Sequence, residues 1–167
     1  VCTNWLPDIM RSFQKKYPDI EIEVFQGTYD DVTYWLKNGV VDLGFLSTSS
    51  AKDIPIEPLW RDPLLCIVPK GMKKQKKTDY MDIEEIRNHQ FVTQRESTDA
   101  DIQNFLKENS INIQSNYHVV DDLSTVAMVA NGFGICLMPQ MVMRDIPYEV
   151  DCYPVQPYAE RVIGLAT

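Results

Sequence analysis

The chain has 167 residues, a formal net charge of -8 and a hydrophobic content of 44%, enough for a real core in one large domain or two small ones. That acidic balance argues against this stretch gripping a phosphate backbone, because duplex binding relies on clustered Lys and Arg releasing counterions. The four cysteines, Cys2, Cys66, Cys136 and Cys152, form no C-x-x-C pair, so no zinc or redox motif is visible and a reducing cytoplasm fits. The apolar runs are far short of a membrane span, and no charged-then-apolar leader is readable. The abrupt opening at Val1 and the strand-like end at Thr167 suggest a fragment of a longer protein.

In chain order, Leu6, Ile9, Met10, Phe13 and Tyr17 recur at helical spacing, with Pro7 tolerable in the first turn and Pro18 ending the helix. Ile20, Ile22 and Val24 alternate with Glu21 and Glu23, which predicts a strand with one wet face. Thr28 then has the spacing of an N-cap, with Asp31 as its box partner. Tyr29, Val32, Trp35 and Leu36 share a face, and Gly39 supplies the stop. The run from Val40 to Leu46 predicts a mostly buried strand, followed by the polar loop Ser47 to Ser50. Ile56 to Trp60 and Leu64 to Val68 predict two further strands, punctuated by Pro58, Pro63 and Pro69.

At Lys70 the composition shifts. Lys70, Lys73, Lys74, Lys76 and Lys77 read as a solvated connection in preference to a nucleic-acid patch, and a domain boundary is expected here. Asp82 can cap a short helix to Arg87, with Glu85 three residues on. A second alternating series follows: a strand at Phe91 to Thr93, a polar loop from Gln94 to Thr98, a helix from Asp99 to Asn109 and a strand from Tyr117 to Val120. A helix capped by Asp121 or Asp122 and stopped by Gly132 leads to a strand from Gly134 to Met138. This βαβαβ order predicts a second parallel sheet. Strands expected at Tyr148 to Val155 and Arg161 to Ala166 have no long helix between them, so the tail should cross back to complete the first sheet. The expected fold is α/β: two Rossmann-like lobes, 1–69 plus 150–167 and 70–149, joined by crossing strands near Leu65 to Lys70 and Tyr148 to Val155.

Three pieces in order resemble the effector-binding domain of LysR-type transcriptional regulators. They are Leu6, Pro7, Phe13 and Tyr17 to Ile22; then G-T-Y-D-D-V-x-x-x-L-x-x-G-x-V-D-L-G-F; then V-A-N-G-F-G-I-C-L-M-P from Val129 to Pro139. The resemblance implies a type 2 periplasmic-binding-protein-like fold with a small-molecule pocket between the lobes. It implies an antiparallel homodimer, a tetramer in the full-length protein, and a winged helix-turn-helix domain outside this sequence that carries DNA binding. The family's first strand and final helix are not found in this sequence.

Carried over by position, the resemblance places Thr3, Asn4, Thr28, Ser47 and Thr48 on one side of the pocket. Gln94, Arg95, Glu96, Asp122 and Ser124 lie on the other. Hydroxyls, amides and helix N-termini suit a polar or anionic ligand, and Arg95 adds a fork for a carboxylate. Each has a plainer role open to it: Thr28 as a cap, Arg95 as a partner of Glu96 or a surface carboxylate, Asp121 and Asp122 as helix-start residues. Tyr29, Trp35 and Phe133 read as core. His89 and His118 stand in no metal-ligand spacing, and no G-x-S-x-G or phosphate-cradling loop occurs, so neither catalysis, a metal nor a cofactor is expected. The rival reading is an extracytoplasmic solute-binding protein of a transport system, which would share the fold but carry a secretion leader or a lipid-anchored cysteine.

Overall fold

Capping chemistry sets the helix starts in the computed structural model, which describes residues 5–50, 53–94, 100–113 and 115–167. Helix α1 (Leu6–Lys16) has Pro7 in its first turn, where the missing N–H costs no bond. Helix α2 (Tyr29–Lys37) opens on a reciprocal box: the Asp31 amide donates to the Thr28 hydroxyl oxygen (3.2 Å) and the Thr28 amide donates to Asp31 Oδ2 (2.8 Å). Asp82 caps α3 (Ile83–Arg87) by accepting from the Glu85 amide at 2.8 Å. Helix α4 spans Ala100–Glu108, and α5 (Asp122–Ala130) is capped by Asp121, not Asp122, through the Ser124 amide at 2.8 Å.

The strands are β1 (Gly44–Ser47), β2 (Glu57–Pro69), β3 (Met81–Asp82), β4 (Val92–Gln94), β5 (Tyr117–Val119), β6 (Cys136–Pro139), β7 (Val150–Gln156) and β8 (Glu160–Ala166). The two strands expected on either side of Pro63 are one strand of 13 residues. Pro63 does not break it, because the proline falls at the changeover of partners: β8 pairs antiparallel with β2 from Glu57 to Pro63, and β7 takes over antiparallel from Leu65 to Pro69. The Leu64 amide donates to the Ala159 carbonyl at 2.9 Å between the two ladders. β2 and the β7–β8 tail are therefore the crossing strands that join the two lobes. The tail does complete the first sheet, since β8 also pairs with β1.

Two expectations, one strand and one sheet, need correction. Ile20 to Val24 form no strand; Ile20 and Val24 are about half exposed, and alternation alone cannot make a strand without a ladder partner among the described residues. The apolar stripe of α1 buries none of its residues, with Ile9 at 46% exposure and Phe13 at 38%. The second lobe is not wholly parallel: β4 and β5 pair parallel, as do β3 and β7, but β6 runs antiparallel to β2.

The core follows the crossing strand. Cys66, Ile67 and Val68 on β2 are fully buried; Cys66 and Val68 pack with Ile86, Phe91 and Phe105, whereas Ile67 packs with Val126, Val129 and Met138. Alternate residues of one strand thus fill two layers of the second lobe. A smaller cluster, Leu46 and Ala166 under Tyr29, Val32 and Leu36, sits beneath α2 in the first lobe. Burial pushes the thiols of Cys66 and Cys136 up, so both behave as small hydrophobes.

Candidate functional site

The end of β1 and the start of α4, 54 residues apart in the sequence, meet through side chains. Ser47, the last residue of β1, is fully buried and donates its hydroxyl to Asp101 Oδ1 at 2.9 Å. Ser49 donates to the same oxygen, and its hydroxyl lies 3.1 Å from that of Ser47. Ser50 closes the turn by donating to the Ser47 carbonyl at 2.7 Å. Asp101 lies in the first turn of α4, where the helix dipole favours a carboxylate. Only 8% of it is exposed, and its Oδ2 is buried without a hydrogen-bond partner among the described residues.

A second polar pair sits at the carboxyl end of β4. Gln94 donates its side-chain amide to Asp122 Oδ1 at the start of α5, with Met138 Sδ 4.0 Å from the same nitrogen. Behind it a small, mainly apolar gap runs between β4 and α4, lined by Phe91, Gln94, Ile102, Leu106 and Leu137.

Ser47 meets Asp101 and Gln94 meets Asp122, both as pairs of groups at strand ends. Thr28 is engaged in its cap: besides accepting from Asp31, its hydroxyl donates to Asp31 Oδ2 at 2.8 Å. Thr48 is exposed, and its amide is taken by the Val162 carbonyl at 2.9 Å. Ser124 serves the α5 cap through its amide. Thr3, Asn4, Arg95 and Glu96 lie outside the described residues. Sequence reasoning missed Asp101. The signal was present as an acid in the first turn after a polar loop, but nothing local pairs it with a serine 54 residues earlier.

The capping carboxylates carry the clearest pKa shifts near these loops. The Thr28 amide and hydroxyl hold Asp31 below the usual carboxylate value, and the Ser124 amide and hydroxyl do the same for Asp121. Asp151, bonded by the Gly71 amide and then by Lys70, is lowered as well. A folded-state value below the unfolded one contributes stability that is fully present above about pH 4 and is lost as pH falls through the folded value. Acid unfolding followed by circular dichroism should therefore steepen below about pH 4, and Asp121→Asn should flatten that limb while lowering stability at pH 7. An unchanged limb would remove Asp121 from the account.

Among the described residues no helix is long and apolar enough to cross a membrane, and no group of three His, Cys, Asp or Glu could hold a metal. Comparison with known proteins agrees with the geometry. The YoaU transcriptional regulator of Bacillus subtilis is 24% identical over 170 residues, covering 99% of this chain and 56% of that protein. LrrA of Synechococcus elongatus is 24% identical over 98% of this chain and 55% of its own length. The chain thus spans about half the length of the curated relatives it matches. Among solved structures, the CcmR regulatory domain of Synechocystis in complex with 2-PG superposes with a TM-score of 0.85 at 17% identity, covering 98% of this chain and 81% of that one. The effector binding domain of QuiR in complex with shikimate gives 0.81 at 24% identity, covering 97% and 79%. These likenesses establish the two-lobed, type 2 periplasmic-binding-protein-like fold. The family description "LysR substrate binding domain" matches residues 1–167, and the chain belongs to that family.

Proposed function

We propose that this chain is the effector-sensing part of a cytoplasmic LysR-type transcriptional regulator, and that it has no catalytic role. In this reading residues 1–69 plus 150–167 form one lobe and 70–149 the other, and a small molecule enters between them. The observation that carries it is the family match over the whole chain, joined to the Ser47–Asp101 contact that spans the lobes at strand and helix ends. Such ends offer polar groups to a ligand in open α/β sheets. Ser47, Thr48, Gln94, Asp122 and Ser124 remain candidate effector contacts, with Thr3, Asn4, Arg95 and Glu96 beside them by position, and Thr28 is a further candidate whose hydroxyl also serves the α2 cap. A ligand that grips the two lobes differently in two arrangements shifts their populations, and that difference in free energy is the signal.

The same reading supplies the partners: a second copy of the chain, and DNA through a winged helix-turn-helix elsewhere in the protein. The reading frame upstream of Val1 tests it. A helix-turn-helix is expected there; a signal peptide or lipid-anchored cysteine would move the protein to transport.

A further inference from the structure

Helix α4 is fastened differently at its two ends. At the far end Phe105 and Leu106, with Ile111 just beyond the helix, are buried in one cluster with Ile86 and Phe91. There the Ile111 amide donates to the Leu106 carbonyl at 2.8 Å. Arg87 of α3 donates through Nη2 to the Asn109 carbonyl at 2.6 Å, a cation where the helix dipole favours one. The near end has less beneath it. Ile102 is only partly buried, Gln103 and Asn104 are exposed, and the gap between α4 and β4 holds about 30 Å³, the room of a single water. Protein interiors are otherwise close-packed, so a void under a helix marks a place where dispersion contacts do less to hold it. Polar contacts fasten this end: Asp101, in the first turn, takes the hydroxyls of Ser47 and Ser49.

We infer that Ser47, Ser49 and Asp101 form a latch, and that releasing it lets the first turns of α4 tilt away from β4 about the seated far end. The contact is suited to both states. A carboxylate withdrawn from water has to be held by donors, and two hydroxyls aimed at one oxygen supply them; without those donors the charge is better hydrated, so the helix end moves outward with it. Ser47 ends β1, and Ser50 ties the turn by donating to the Ser47 carbonyl at 2.7 Å, so a shift of this turn is transmitted to α4. Tilting widens the gap beside Gln94 at the end of β4. What the latch serves rests on the effector reading above: it connects the Ser47 turn to the space beside Gln94, so a ligand touching one alters the room at the other. The latch itself is measured without a ligand, which keeps its failure separate from the failure of that reading.

Hydrogen–deuterium exchange of the ligand-free chain, read by mass spectrometry, tests it. Ser47→Ala/Ser49→Ala removes both donors and leaves the carboxylate in place. Peptides within Asp101 to Glu108 should then exchange at least about tenfold faster than in wild type, while those of α5 and of β2 from Leu65 to Pro69 change by less than about twofold. Unchanged exchange in α4, or a rise spread evenly over α4, α5 and β2 as a global loss of stability gives, would overturn the latch. If the double variant does not fold, Ser49→Ala, which keeps the Ser47 bond, should still give a smaller rise confined to the α4 peptides, and the absence of that local rise would overturn it equally.

Discussion

Asp62→Ala is expected to destabilise the fold by about 3–5 kcal/mol, enough to lower the Tm by roughly 10 °C in a chain of this size. Asp62 lies on β2, is 1% exposed, and joins three elements. Its Oδ1 accepts the Met141 amide at 2.8 Å, in the short 3-10 turn Gln140–Met143 that follows β6. Its Oδ2 accepts from Arg161 Nε at 2.9 Å, and Arg161 Nη2 lies 2.9 Å away. Arg161, on β8, also reaches toward the Tyr29 hydroxyl at 3.5 Å. Removing the carboxylate leaves a nearly buried guanidinium without this counter-charge and a backbone amide without its acceptor, so two penalties add. The double variant Asp62→Leu/Arg161→Leu should recover a large part of the loss, because it withdraws both charges together. Thermal unfolding of the three proteins decides this, and a single variant within about 2 °C of wild type would show that the pair carries little.

The second large effect is expected from Gly134→Ala, at about 2–4 kcal/mol. Gly134 has φ +147°, a conformation that side chains resist, and an added Cβ would lie 2.4 Å from the Gln90 carbonyl oxygen. That carbonyl is already in use: it accepts the Ile135 amide at 2.8 Å, while the Val92 amide donates back to the Ile135 carbonyl at 2.9 Å. The close approach of Gly134 is thus what lets the chain entering β6 pair with the chain entering β4. An alanine must push these segments apart, which loosens the layer containing Phe91 and Ile135. Urea unfolding should show a lowered midpoint with an unchanged slope, and a midpoint equal to wild type would refute the collision.

Much of this fold could be read from spacing alone, for a physical reason. A capping box is a contact between residues three apart, so the Thr28–Asp31 box and the Asp82 cap were legible from residue types, as was the reach of the tail back to the first sheet from the absence of a helix after Val150. Partnership was not legible. The alternation of Ile20 to Val24 and the stripe on α1 reveal a face that could be buried, but not the neighbour that would bury it, and both are largely exposed here. Pro63 read as a break because a proline's cost depends on which edge lacks the N–H, something only the pairing of β2 shows. For the site, the family pattern brought Ser47 and Gln94 into view. It did not supply Asp101, whose contact with Ser47 joins segments 54 residues apart.

The long strand β2, laddered first to β8 and then to β7, has a mechanical consequence. It lies beside β8 as far as Pro63 and between β6 and β7 from Leu65 to Ile67, so stretching or shearing it would lengthen bonds on every ladder, whereas a change of twist costs less. Used as the bridge between the lobes, it acts as a torsion bar. Under the proposed effector reading, a ligand that drew β1 toward α4 would be expected to twist β2 in preference to stretching it.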